Sequence, residues 1–452
     1  MATWSRKCST LPDAVVNETF SSLLKNVART PRPSESQLEN TDEASVLRFF
    51  QQTVSPNASG VGANRGQPWI SSHAAGVAAK RGSLSLPSSL PNKDSTMLPL
   101  PPPVTDPTSI FEHFRGSYGT ELLTAAVAHF GLFRLLAEEA LSFDDLRQRL
   151  SLDERAAVVL LTAMRAMKLV ETDAAGRFTA SETAREHLVP GGEFFVGDYV
   201  GLAAGSPGVI GMVERLKTNR LARAEKADAG AAFIYREGLD SAMEQEQSAR
   251  RLTLALAGRA KNVAPVLAER IAFDGGTLLD VGGGTGIYAI ACLRRHPALR
   301  AIVFDRPEVL KVAAEFAASY GVADRLKLHP GDMFTDPLPA ADTILLSNIL
   351  HDWDQPECRQ LVRRCADALP VGGRLLIHDV FLNDNHDGPL PVALYSASLF
   401  SLTEGRAYSA REYREWLVAA GLTPGEVVPT LVHCGVLTTG ILTSISHART
   451  GG

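Results

Sequence analysis

Thr277-Leu-Leu-Asp-Val-Gly-Gly-Gly-Thr-Gly-Ile-Tyr288 decides how this chain is read. A short apolar run closes on Asp280, a glycine loop containing Gly282, Gly284 and Gly286 follows, and a helical run opens at Ile287. Glycines let the backbone turn sharply and approach a ligand, and the next helix offers free N–H groups. A second apolar run, Ala301-Ile-Val-Phe-Asp305, ends 19 residues after Gly286 in an acid placed to accept hydrogen bonds from a ribose. Together these elements point to a cofactor containing a nucleoside.

The loop leaves the choice of cofactor open until its charge is considered. Gly284-Thr-Gly286-Ile-Tyr-Ala289 fits the loose dinucleotide pattern G-x-G-x-x-G/A, a weak signal by itself. Asp280, two positions before the first glycine, disfavours a pyrophosphate. It suits S-adenosylmethionine, whose sulfonium and amino group are made cheaper to bury by a nearby acid. The bland alternative, a tight strand–helix turn and nothing more, leaves both acids unexplained.

Composition sets outer bounds. The chain has 452 residues, 45% hydrophobic and 21% charged, as expected of a globular enzyme with more than one domain. A net charge of −5 gives no global basic field, so neither nucleic acid nor an anionic membrane is expected as a partner. Cys8, Cys292, Cys358, Cys365 and Cys434 are odd in number and form no C-x-x-C pair. Free buried thiols in a cytoplasmic protein are expected, without disulfide or metal site. No stretch approaches the ~20 apolar residues of a spanning helix.

Residues 1–105 are rich in Ser, Pro, Asn and Ala and end in a proline run, Leu98-Pro-Leu-Pro-Pro-Pro-Val104. Disorder is expected there, since such a composition buries too little surface to offset chain entropy. Met97 is a candidate for the true start of the protein, to be tested by mass spectrometry of the natural product. Residues 106–270 read as mainly helical. Leu122 to Leu136 carries apolar residues at helical spacing, and helices are expected over Phe143–Leu150 and Asp153–Met167. A small hairpin follows at Leu169–Thr172 and Arg177–Ala180. Helix, helix, hairpin is the winged-helix order. A groove-reading helix needs exposed basic side chains, whereas Ala156-Ala-Val-Val-Leu-Leu-Thr-Ala-Met164 is apolar on nearly every face. That helix is expected in a core or a subunit contact. Further helices are expected over Gly208–Lys217 and Leu239–Glu269, with a break at Pro265. Phe233 and Met243 are read as core residues with pocket lining as the alternative.

Residues 271–452 alternate strand and helix, which predicts an α/β fold with a doubly wound, Rossmann-like parallel sheet. Strands are expected at Thr277–Val281, Ala301–Phe304, Leu326–His329, Thr343–Ser347 and Arg374–Asp379, and a closing antiparallel hairpin within Val427–Ser446. Ligands bind at the carboxyl ends of such strands. Asp280, Asp305, Asp332, His351 and Asp379 all fall at or near those ends.

The motifs in order carry a resemblance. Leu278 to Gly286, Phe304-Asp-Arg-Pro307, Gly331-Asp-Met-Phe334, Ile349-Leu-His-Asp-Trp-Asp354 and Ala368-Leu-Pro-Val-Gly-Gly-Arg374 resemble those of class I S-adenosylmethionine-dependent O-methyltransferases. The group is that of caffeic acid and acetylserotonin O-methyltransferases and their bacterial relatives, from about Ile110 to the C-terminus. The resemblance implies a homodimer built on a helical, winged-helix-like dimerisation domain, and a small hydroxylated aromatic or polyketide-like acceptor. It also implies cofactor contacts from Gly282 and its neighbours, Asp305 on the ribose, and Asp332, Met333 and Phe334 around the adenine. Ser347 stands where a cofactor-contacting lysine is usual. His351 falls on the general base, and an imidazole suits proton removal near neutral pH. Asp379 falls on a carboxylate that orients it.

The chain departs from the plant members of that group in places. Asp379 replaces a usual Glu, and Ala407 stands where a second orienting acid is expected, with Glu404 three residues early. These differences put a phenylpropanoid acceptor in doubt. Carbon or nitrogen methylation on the same fold remains open, as does, more distantly, a winged-helix regulator that senses a small molecule.

Overall fold

A computed structural model describes residues 98–220 and 246–441. Phe233, Met243, Cys8 and everything before Leu98 lie outside the described residues, as does the chain beyond Ile441.

The helical part begins with α1 (Thr108–Arg115), α2 (Gly119–Thr124), α3 (Leu132–Glu138), α4 (Phe143–Leu150) and α5 (Glu154–Ala166). Leu122 to Leu136 is not one helix. A π turn spans Ala125–His129, and Gly131 takes a left-handed conformation (φ 56°) that ends the run before α3 restarts it. Such a conformation costs glycine no Cβ clash. Ser142 caps α4 by accepting the Asp145 amide at 3.2 Å. β1 (Val170–Thr172) and β2 (Phe178–Ala180) then pair antiparallel as the expected hairpin. Ten residues of α5 are buried, including Val159, Leu160 and Met164, so this helix belongs to a core and presents no groove-reading face.

After α6 (Glu182–His187), α7 (Gly197–Gly201) and α8 (Pro207–Thr218), the helix α9 (Glu246–Arg270) leads into the sheet. Pro265 does not break α9. A proline inside a helix costs about 3 kcal/mol. Val263, Leu267 and Ile271 around it are buried against the sheet's helical layer, and each such side chain contributes about 1.5–3 kcal/mol. Tertiary burial outweighs the local penalty.

The sheet contains β3 (Thr277–Val281), β4 (Arg300–Asp305), β5 (Leu326–Pro330), β6 (Thr343–Ser347), β7 (Arg374–Leu382), β8 (Tyr408–Ser409), β9 (Leu422–Pro429) and β10 (Cys434–Ile441). Its order is β5-β4-β3-β6-β7-β10-β9, with β8 beside the end of β7. β3 to β7 run parallel, while β10 is antiparallel to β7 and β9 to β10, giving the expected closing hairpin. Between strands lie α10 (Ile287–Arg295), α11 (Pro307–Ser319), α12 (Gln355–Ala368), α13 (Leu390–Leu402) and α14 (Ala410–Ala419). The strand order reverses direction between β3 and β6, which opens a crevice above their carboxyl ends.

The chain docks earlier than its proline-rich composition implies. The Leu98 carbonyl accepts from Arg294 Nε at 2.7 Å, and Leu100 packs on the core beneath α10. Cys292, Cys358, Cys365 and Cys434 are free and buried, as expected. Among the described residues no single helix is long and apolar enough to cross a membrane, and no cluster of metal-binding side chains occurs.

Candidate active site

β3 delivers Asp280 and the glycine loop to the crevice. Gly282, Gly284 and Gly286 all have positive φ (66°, 60° and 70°), the backbone region that favours glycine. A Cβ on Gly282 would lie 2.5 Å from Ile349 Cδ1, and one on Gly286 2.9 Å from Val303 Cγ2, so the loop is pressed onto the sheet. A Cβ on Gly284 would meet nothing within 4 Å, which leaves the tip of the loop facing the crevice.

Asp305, at the end of β4, ties the loop to the neighbouring strand. Its Oδ2 accepts the Gly284 amide at 2.8 Å and its Oδ1 the Arg306 amide at 2.7 Å. Arg306 reaches on to Asp332 Oδ2 at 3.1 Å, so the two acids share one side of the crevice. Asp332 also accepts the Phe334 amide at 2.7 Å. The Phe334 ring packs edge-on against Trp353 with centroids 4.7 Å apart and is largely buried. The Met333 carbonyl accepts from Arg364. Thus Asp332, Met333 and Phe334 are brought to the crevice by one short loop after β5.

Asp280 is fully buried, and no hydrogen bond closes on either carboxylate oxygen. Burial pushes its carboxyl up to about 7, against a smaller pull from the Ala289 amide and with a further push from Asp305. Burial likewise raises Asp305 to about 6, opposed by the amides it accepts. An unpartnered buried carboxylate beside a glycine cradle fits a ligand that brings positive charge. S-adenosylmethionine has that chemistry.

β6 and β7 supply the second half of the site. After β6 the chain turns at Asn348 (φ 58°) into a single 3₁₀ turn, Leu350–Asp352, which places His351 above the strand ends. His351 Nδ1 stands 2.5 Å from Asp379 Oδ1, in the interior of β7, with both side chains buried. The Nδ1–H donates to the carboxylate, leaving Nε2 as the lone-pair nitrogen. Burial opposes the imidazolium, but Asp379 and Asp352 outweigh it and raise the His351 pKa above its ordinary value. Burial also works against the charge on Asp379, and His351 overcomes it, holding the carboxyl below its usual range. The Asp352 carboxyl is pushed up to about 7 by burial, with His351 opposing.

Other groups of this centre carried no sequence signal. The Tyr413 hydroxyl donates to Asp379 Oδ2 at 3.1 Å, and the Val380 amide to Oδ1 at 2.8 Å. The Tyr395 ring meets His351 edge-on at 5.7 Å. Ser347 does not stand free as a lysine head would: its hydroxyl lies 2.9 Å from His378 Nδ1 and accepts from Asn348 Nδ2 at 3.1 Å. Asn348 donates also to the Tyr288 hydroxyl at 3.3 Å and keeps a buried carbonyl oxygen without a partner. Burial and the nearby Arg259 lower His378 to about 3, so it is neutral. Ala407 is buried against α13 and holds no acid near His351, while Tyr413 contacts Asp379 instead.

The comparisons with known proteins fall on this arrangement. A family description, O-methyltransferase domain, matches residues 237–423. A 3-hydroxy-5-methyl-1-naphthoate 3-O-methyltransferase of Streptomyces sahachiroi is 35% identical over 324 residues, 71% of this chain and 91% of that one. The chain belongs to the O-methyltransferase family. The acetylserotonin O-methyltransferase of Bos taurus is 32% identical, over 69% of this methyltransferase and 92% of its own length. Among solved structures, an O-methyltransferase family 2 protein from Planctomyces limnophilus, in complex with apigenin, is 49% identical with a TM-score of 0.68. That match covers 75% of this methyltransferase and 98% of the other chain. The enzyme is S-adenosylmethionine-dependent, and its sheet and helical N-terminal part are those expected from the sequence.

Proposed function

We propose that this methyltransferase transfers a methyl group to a hydroxyl of a small aromatic or polyketide-like acceptor, with His351 as general base. S-adenosylmethionine supplies the electrophilic methyl group. In this reading Asp280, Gly282, Gly284, Gly286 and Asp305 hold the cofactor, with Asp332, Met333 and Phe334 around its adenine. Ser347 contributes through its hydrogen bonds to His378 and Asn348. His351 Nε2 takes the acceptor's proton as the new O–C bond forms and the sulfonium's S–C bond breaks. Asp379 keeps the imidazole in the Nδ1–H form and stabilises the imidazolium that results. The observation that carries the reading is the buried His351–Asp379 hydrogen bond at the crevice.

The acceptor class draws on the relatives. One acts by name on a hydroxynaphthoate and another was solved with apigenin, and both ligands are hydroxylated aromatics. A homodimer is part of the same proposal. Ile110, Phe114, Tyr199, Leu202 and Ile210 are exposed apolar residues of the helical part, and such surface favours a partner. Light scattering that gives a monomer at micromolar concentration would remove the dimer.

The base is tested with His351→Ala, using apigenin and 3-hydroxy-2-naphthoate as acceptors and mass spectrometry of the methylated product. Turnover should fall ~10²-fold or more, with affinity for S-adenosylhomocysteine unchanged, and alkaline pH should partly restore a phenolic acceptor. Full activity at neutral pH would exclude the general-base role.

A further inference from the structure

Two arginines near His351, Arg115 and Arg259, lack the partners that the buried Arg406 and Arg215 have. Arg406 is paired with Glu412 at 2.5 Å, and Arg215 donates to the carbonyls of Phe400 and Thr403 at 2.7 and 2.9 Å. Arg115, in α1, is only 6% exposed, yet it makes no hydrogen bond or ion pair with any described residue. Its guanidinium lies over the Tyr395 ring, 3.8 Å from the centroid, with Phe111 at 5.4 Å. Arg259, in α9, donates from Nη2 to Cys434 Sγ at 3.0 Å, and its Nε is buried without a partner.

Both arginines reach the catalytic centre. Tyr395, under Arg115, is the ring that meets His351 edge-on. Cys434, which holds Arg259, sits opposite Val380 in the β7–β10 pairing, and the next pair is Gly435 with Asp379. Asp379 lies near enough to favour the charge on both, but it makes no ion pair with either. Asp379 is hydrogen-bonded to His351, and Asp352 Oδ1 faces His351 Nε2 at 3.7 Å. A guanidinium buried against ring faces alone, as Arg115 is, is costly, whereas a carboxylate matches a guanidinium with two parallel hydrogen bonds, and the unpartnered Nε of Arg259 is open to the same kind of bond. Burial accordingly pulls the Arg115 pKa down from its usual value.

We propose that Arg115 and Arg259 form a carboxylate-binding subsite beside the catalytic histidine. The inference rests on the placing of the acceptor and cofactor in this crevice. The carboxylate belongs either to the acceptor, as in a hydroxyaryl acid, or to the amino-acid end of the cofactor.

Binding measured by calorimetry separates these sources without depending on turnover, so a failed base assignment leaves the test intact. One arm compares 3-hydroxy-2-naphthoate with 2-naphthol in saturating S-adenosylhomocysteine. The other compares S-adenosylhomocysteine with 5′-methylthioadenosine, which lacks the amino acid. Arg115→Gln and Arg259→Gln should each cut one of these preferences about tenfold, the size of one lost charge-assisted pair. Arg259→Lys should recover part of it, which a misfolded variant would not. Loss in the naphthalene arm alone assigns the acceptor's carboxylate, and loss in the nucleoside arm alone assigns the cofactor's. If both preferences survive in both glutamine variants, or neither exists in the wild type, there is no such subsite.

Discussion

Tyr413 donates its hydroxyl to Asp379 across 3.1 Å, from a helix that begins 31 residues after the acid. A capping box fixes the start of that helix. Ser409 Oγ accepts the Glu412 amide, and the Glu412 carboxylate accepts the Ser409 amide, so Tyr413 is set on the first turn. Together with His351 and the Val380 amide, Tyr413 completes the hydrogen bonding of a carboxylate that is 1% exposed. Removing the hydroxyl as Tyr413→Phe leaves a buried acceptor unsatisfied. Denaturant unfolding should show a loss of about 1–3 kcal/mol, with cofactor affinity intact.

Asp379→Asn should move the pH profile. With His351 as the proposed base, the working form is the neutral imidazole, so activity should rise as pH passes its pKa. Burial alone would depress that pKa, and the Asp379 carboxylate is the main group that raises it. Without the charge, the rising limb of kcat against pH should shift to lower pH while the plateau falls, because the imidazolium formed in the reaction is less stabilised. A limb that stays in place would mean that another group titrates.

Asp280→Asn should stabilise the cofactor-free protein while weakening the cofactor. The Asp280 carboxyl is raised by burial to about 7 in the fold, from 3.8. Its contribution to stability is complete below pH 4 and disappears as pH rises through 7. By pH 8 three pKa units correspond to up to about 4 kcal/mol of lost stability, less what relaxation recovers. Thermal melts of the ligand-free variant at pH 8 should be higher than those of the wild type, and calorimetry should show weaker S-adenosylmethionine binding. Equal melts at pH 8 would show that Asp280 is not a strained carboxylate.

Gly405→Ala should act on the turn that carries His351, the proposed base. A Cβ at Gly405 would run into the His351 carbonyl oxygen and come within 2.6 Å of the Trp353 amide nitrogen and 2.7 Å of Asp352 C. These are backbone atoms, so the 3₁₀ turn carrying His351 must shift. A displacement near 1 Å costs up to ~10² in rate. We expect kcat, measured at saturating S-adenosylmethionine, to fall at least tenfold, toward that limit.

The sequence by itself determined the parts whose physics is local. Gly282, Gly284 and Gly286 between an apolar strand and a helix mark a ligand loop, since only such residues adopt φ near 60–70° without strain. The alternation of runs from Thr277 to Asp379 foretold a parallel sheet, and hence that Asp280, Asp305, Asp332, His351 and Asp379 would share one edge. Tertiary structure decided what local pattern could not. The helix through Pro265 holds because its flanks are buried, and the run from Leu122 to Leu136 splits at Gly131. Ser347 is hydrogen-bonded to His378, while four separate helices bring Tyr413 to Asp379, Tyr395 to His351, Arg115 onto Tyr395 and Arg259 to Cys434. No periodicity or spacing joins residues so far apart, because their meeting depends on how layers pack. His351 and the glycine loop are written in short motifs, whereas the side chains around them meet only once the helices pack against the sheet.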